Sequence, residues 1–168
     1  MDIREVGRLD IEAITRIYNH YIVNTTISFE ESPVSEPEMH ARVKHVQEFG
    51  LPWLVVVIDG EIQGYAYAGQ WKARSAYNLT VEPSIYFAPE AKGKGMGRLI
   101  YHALLEQLKR LGIRTVIGSI ALPNDSSIAL HERLGFKKVG EFTNIGFKHD
   151  RRISVGYWQL ELSDYPMS

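Results

Sequence analysis

Cysteine is absent from these 168 residues, which excludes disulfides, thiolate metal sites and a cysteine nucleophile. A chain of this length buries roughly 70% of its unfolded surface, so it needs no covalent staple. Excess charge of either sign is also missing. With 19 Lys and Arg against 20 Asp and Glu, the formal charge is −1, which argues against nucleic acid as the main partner. Long apolar runs are missing too. Met1-Asp2-Ile3-Arg4-Glu5 carries no signal-peptide core, and no stretch approaches the length of a membrane span. The expectation is a soluble cytoplasmic protein with no membrane partner. Repeats, low-complexity tracts and linkers are absent as well, so residues 1–168 are expected to form one domain.

What is present alternates between helical and extended patterns. A short strand, Ile3 to Val6, precedes a helix with Ile11, Ile14, Ile17, Tyr18 and Tyr21 at helical spacing. Ser35 is placed to cap a second helix that runs from about Pro37 to a stop at Gly50. Trp53 to Ile58 and Glu61 to Gly69 read as a hairpin turned by Asp59-Gly60. Leu79 to Phe87 reads as a strand in which Pro83, lacking an N–H, predicts a bulge or an edge. The stripe Leu99, Ile100, Ala103, Leu104, Leu108 and Leu111 forms a helix stopped by Gly112. Because that helix leads to the strand Val116 to Leu122, the two flanking strands are expected to be parallel. A short helix, Ser126 to Leu134, and strands near Lys138 to Thr143 and Ser154 to Glu161 follow. The fold class is therefore α/β, a central mixed sheet flanked by helices.

One loop stands out within this pattern. Gly93, Lys94, Gly95, Met96, Gly97 and Arg98 lie between a strand and a helix, with Lys92 before them. Glycine tolerates positive φ, so such a loop can turn several N–H groups toward one anion, and the helix N-terminus adds unpaired N–H groups. A bare glycine-rich connection satisfies the same residues. A Walker-type loop does not fit, because no Gly-Lys-Ser or Gly-Lys-Thr closes the motif. The dinucleotide pattern also fails, since the third glycine comes one residue early.

Three segments in order, Thr80-Val81-Glu82-Pro83-Ser84-Ile85-Tyr86-Phe87, Lys92 to Gly97, and Asn124 to Phe136, resemble the GCN5-related N-acetyltransferase (GNAT) superfamily. Within it the chain looks most like the phosphinothricin and methionine sulfoximine acetyltransferase group, and the resemblance spans nearly its whole length. Lys92 departs from the Gln or Arg usual at that position. It keeps the charge and loses the guanidinium fork.

The resemblance implies acetyl-CoA as co-substrate, with no metal. It would lie between the Leu79 to Phe87 and Val116 to Leu122 strands, pairing with backbone groups of Ile85, Tyr86 and Phe87 as an added strand would. Its pyrophosphate would rest on Gly93 to Arg98, and Asn124 would meet the pantetheine arm, although a helix cap is equally good chemistry for Asn124. Glu82, a carboxylate in an apolar strand, is the expected general base; a solvent-facing strand residue is the bland alternative. His131 stands where many superfamily members carry a tyrosine, which implies the acid that protonates the departing thiolate. A packing histidine fits the same spacing, and Tyr86 and Tyr101 are weaker candidates.

For the acceptor, Arg74-Ser75-Ala76-Tyr77 resembles the Arg-x-Ala-Tyr segment that reaches it in the phosphinothricin-like group. Arg74 would fork onto a carboxylate or phosphinate. Tyr18, Tyr21 and Phe29 are possible walls of the acceptor pocket, while Trp53, Trp71 and Trp158 read as packing residues. Lys148 to Arg152 reads as a solvated basic turn. The resemblance further implies a homodimer. The functional reading is acetyl transfer to the α-amine of a small amino-acid-like acceptor. A peptide N-terminus or polyamine as acceptor, or a noncatalytic acyl-CoA-binding domain, are the alternatives.

Overall fold

The computed structural model describes residues 1–91 and 93–167; Lys92 lies outside the described residues. The elements run β1 (Asp2–Glu5), α1 (Ile11–Asn24), α2 (Glu36–Glu48), β2 (Trp53–Ile58), β3 (Glu61–Gln70) and β4 (Thr80–Phe87). They continue with α3 (Met96–Arg110), β5 (Thr115–Ala121), α4 (Asp125–Arg133), β6 (Lys137–Lys148) and β7 (Arg151–Glu161). Seven strands form one sheet in the order β1-β2-β3-β4-β5-β7-β6. Among the described residues only the β4–β5 pair is parallel, as the intervening helix requires.

Local chemistry explains most boundaries. Ser35 Oγ accepts the Glu38 N–H at 3.3 Å and starts α2. Asp59 and Gly60 take φ values of 52° and 82°, the left-handed pair that a two-residue hairpin needs. Successive strand side chains alternate faces, and this divides the molecule into layers. Tyr86 of β4 meets Tyr18 and Tyr21 of α1 edge-on, at 5.1 and 5.0 Å between ring centroids. On the other face, Ile85 and Phe87 lie against Gly97 of α3. The core of α3, Ile100, Leu104, Leu105 and Leu108, is fully buried, and each such side chain contributes about 1.5–3 kcal/mol.

Two expectations sharpen. Of the bulge or edge expected at Pro83, the structure has the edge: the β3–β4 ladder passes through Ala68↔Pro83 without a register shift, and β4 pairs with β5 only as far as Val81. Thr80 C=O accepts from Trp71 N–H and Ala88 N–H donates to Gln63 C=O, so the even-numbered residues of β4 bond β3. Pro83 turns its missing donor to the other side and costs that ladder nothing. The last two strands are also longer than expected. They form one hairpin turned at His149 and Asp150, both in the left-handed region. Lys148 is therefore not part of a solvated turn: it is buried, and its Nζ donates to Ser28 C=O at 2.6 Å.

Candidate active site

β4 and β5 pair only at Thr80↔Thr115 and Val81↔Val116, and then part. Glu82 is the next residue of β4. It lines a cleft of 790 Å³ together with Tyr67, Lys72, Ser84 and Ser119. Burial raises the Glu82 carboxyl above the usual range, while a hydrogen bond from Ser119 and the nearby Lys72 charge pull it back. The result is a carboxylate that accepts a proton more readily than one in water.

A second cavity of 290 Å³ lies at the glycine loop and is lined by Phe87, Gly93, Lys94, Gly95, Met96 and Gly97. Ile27, Ile85, Asn124 and Ser127 line both cavities, so one groove runs from the loop to Glu82. Gly93 and Gly95 have φ of 78° and 77°, and nothing lies within 4 Å of a Cβ placed on either. Glycine is needed there for conformation, and the space beside it is open. Gly95 caps α3 without a side-chain hydrogen bond, which leaves the first-turn N–H groups for a ligand. Met96 is buried and offers only its backbone, whereas Lys94 and Arg98 are exposed.

The backbone of β4 completes the groove unevenly. By the alternation above, Ile85 and Phe87 turn N–H and C=O to the side that β5 has left, while Tyr86 bonds β3. Of the three residues expected to offer backbone groups, Tyr86 therefore supplies its ring instead. Tyr21 Oη donates to Phe87 C=O at 2.7 Å and accepts from Phe87 N–H at 3.4 Å. Asn124 has both of its expected characters in part. Its Oδ1 accepts from Ser127 N–H at 3.2 Å as the cap of α4, and the residue also borders both cavities.

His131 borders the cleft but is buried. Its Nδ1 lies 2.7 Å from Ser127 C=O, an acceptor, so Nδ1 carries the hydrogen and Nε2 accepts from Tyr101 Oη at 2.9 Å. Burial lowers its pKa, which disfavours the imidazolium. Gly118 makes room for this ring: a Cβ there would stand 2.8 Å from both Cδ2 and Nε2.

The acceptor segment departs most from expectation. Arg74, Ser75, Ala76 and Tyr77 are exposed and do not line the cleft; Trp71 and Lys72, just before them, do. The far wall comes from the loop after α1, with Ser28, Phe29 and Glu30. Arg42 grips Glu30 with two bonds of 2.8 and 2.7 Å, and Tyr18 Oη donates to the same carboxylate. Burial and Glu30 push the Tyr18 hydroxyl up to about 12. Lys72, Ser119 and Glu30 escaped sequence reading. Lys72 stood two residues from Arg74, and Ser119 becomes a neighbour of Glu82 only once β5 is laid beside β4. Among the described residues no group of three or more His, Asp and Glu is arranged to hold a metal, and no helix is long and apolar enough to cross a membrane.

The family model described as acetyltransferase (GNAT) domain matches residues 3–155. Phosphinothricin N-acetyltransferase of Streptomyces viridochromogenes is 38% identical over 161 residues, covering 96% of this chain and 87% of the relative. L-methionine sulfoximine/L-methionine sulfone acetyltransferase of Salmonella typhimurium is 33% identical, covering 98% and 96%. A crystal structure of a GNAT superfamily phosphinothricin acetyltransferase from Sinorhizobium meliloti in complex with AcCoA superposes with a TM-score of 0.94. It is 37% identical, with 99% of this chain and 93% of that chain covered.

Proposed function

The chain belongs to the GNAT acetyltransferase family, and from that premise we propose that it transfers acetyl from acetyl-CoA directly to the α-amine of a small amino-acid-like acceptor. Acceptors of the phosphinothricin, methionine sulfoximine or methionine sulfone type fit the relatives. The observation that carries this reading is Glu82, a half-buried carboxyl where β4 leaves β5, at the end of a groove that starts on the glycine loop.

The residues fit acetyl-CoA. N–H groups from Gly93 to Arg98 would hold its pyrophosphate, and Ile85 and Asn124 its pantetheine arm. Bound there, it supplies an acetyl group activated as a thioester. Glu82 takes the proton that makes the amine nucleophilic, the C–N bond forms as the C–S bond breaks, and the CoA thiolate takes up a proton from solvent. His131 enters this reading as a neutral hydrogen-bonding wall, because burial opposes the cation that an acid would need. Lys72, beside Glu82 in the cleft, is assigned the acceptor's carboxylate in place of Arg74. A polyamine fits less well: Lys72 repels it, and Glu30 is already neutralised by Arg42.

The test is Glu82→Gln. General-base loss predicts a fall in kcat/KM of about 10²–10⁴ at neutral pH, with acetyl-CoA binding retained. Full activity across pH would refute the assignment.

A homodimer is proposed as well, with β6 of each copy at the contact. That edge strand exposes Val139, Phe142, Ile145 and Phe147, each more than half accessible.

A further inference from the structure

The far wall of the cleft has no helix or strand of its own: Ser28, Phe29 and Glu30 lie in the stretch between α1 and α2. Hydrogen bonds join its polar atoms into one unit. Tyr18 Oη gives its hydrogen to the Glu30 carboxylate, so Ser28 Oγ, 3.0 Å away, donates to Tyr18 Oη. Ser28 Oγ also accepts the Glu30 N–H at 3.3 Å. Arg42 holds Glu30 from α2. The remaining support comes from β6, far along the chain.

β6 is bulged. Its register against β7 jumps between Phe142↔Val155 and Gly146↔Ile153, with Asn144 at a φ of 54°. The Asn144 C=O accepts from both Nε and Nη2 of Arg152, at 3.2 and 2.8 Å. Bulges of this kind re-aim the residues beside them. Gly146 and Lys148 then share one face of the strand, and both meet the wall. Phe29 packs so closely on Gly146 that a Cβ there would stand 2.6 Å from its ring. Lys148, 2% exposed, donates from Nζ to Ser28 C=O at 2.6 Å.

An ammonium taken out of water is unfavourable unless its hydrogens are matched. Among the described residues no carboxylate forms an ion pair with Lys148; Glu31 and Glu30 attract it only from farther off, and Glu30 is bound to Arg42. A neutral side chain of similar length would fill the same space without that penalty. What the ammonium adds is a charge-assisted hydrogen bond that fixes the main chain of the wall. Lys148 itself does not line the cleft.

We propose that Lys148 is a positioning residue for the acceptor: from β6 it fixes Ser28, and through Ser28 the Tyr18 and Glu30 groups that wall the acceptor side of the cleft. The inference rests on the acetyl-transfer reading above and adds the residue that sets the width of its acceptor site.

The test compares the parent with Lys148→Met, which keeps the stem and removes the ammonium. Binding of L-methionine sulfone and of phosphinothricin to the CoA complex is measured by calorimetry, and CoA thiol release gives kcat and both KM values. The variant should bind these acceptors about tenfold more weakly, with their KM raised alike and with kcat and the acetyl-CoA KM within about twofold of the parent. Lys148→Cys creates the chain's single thiol, since cysteine is otherwise absent. Aminoethylating it in urea before refolding restores an ammonium at the length of lysine, and acceptor affinity should return; propylation should leave it low. Unchanged acceptor affinity in Lys148→Met, an equal loss for acetyl-CoA and acceptor, or no recovery on aminoethylation overturns the role. Failure of the Met and propylated forms to fold, read by near-ultraviolet circular dichroism, also overturns it, because the lysine then serves the fold as a whole. If the parent binds an acceptor but releases no thiol from acetyl-CoA, the acetyl-transfer reading falls and the binding constants alone decide the positioning role. If thiol is released and the affinities do not differ, only the positioning role falls. A parent that neither binds nor acetylates either acceptor overturns both.

Discussion

Ser119 on β5 hydrogen-bonds Glu82 on β4 across the gap where the two strands part. The bond favours the charged carboxylate and opposes the effect of burial. Ser119→Ala removes it, so the Glu82 pKa rises further and the acid limb of kcat/KM moves to higher pH. Rates on that limb should fall about three- to tenfold while the alkaline plateau holds, as a pH profile will show. Lys72→Met should move the limb in the same direction and also raise the acceptor KM.

His131 makes a different pH statement. Its folded pKa is lowered by burial, so as pH falls below about 6.5 the unfolded chain binds the proton first and stability declines. His131→Gln should cost about 1–3 kcal/mol at pH 7 through the lost hydrogen bonds to Tyr101 and Ser127. Urea unfolding at pH 7 and pH 5 should then show a shallower dependence on pH in the variant than in the parent.

The glycine loop separates conformation from contact. Gly93→Ala and Gly95→Ala meet no neighbour, but each must hold a left-handed φ, at about 1–2 kcal/mol. The expected outcome is a rise of about tenfold in the acetyl-CoA KM with the acceptor KM unchanged, since the distortion stays at one end of the groove. Initial rates with each substrate varied in turn will check it.

For the edge strand, Phe142→Glu with Phe147→Glu places charge on two exposed rings of β6. The expected outcome is a shift from dimer to monomer in sedimentation equilibrium with little change in thermal midpoint. A parent chain that sediments as a monomer at micromolar concentration would refute the dimer.

Much of this architecture was legible along the chain. Period-3.6 stripes located α1 and α3, Ser35 and Asp59-Gly60 marked a cap and a turn, and Glu82, Asn124 and the glycines meet along one groove as expected. The misses share a cause. Lys148 looked solvated because its partner, Ser28 C=O, lies 120 residues away, and no local pattern encodes that pairing. Arg74 looked like the acceptor contact because its charge is evident, but where a loop turns decides which of Lys72 and Arg74 faces the cleft. Ser119 is one of many serines until the splay of β4 and β5 brings it to Glu82.

Pro83 has a consequence of its own. On the open side of β4 the rung at Pro83 has no donor, and the rung at Phe87 is taken up by Tyr21. Ile85 stands between them as the one complete rung. An amide-bearing arm laid along this edge would lose its partner if it slid two residues either way, so the imino acid and the tyrosine together would act as a register stop.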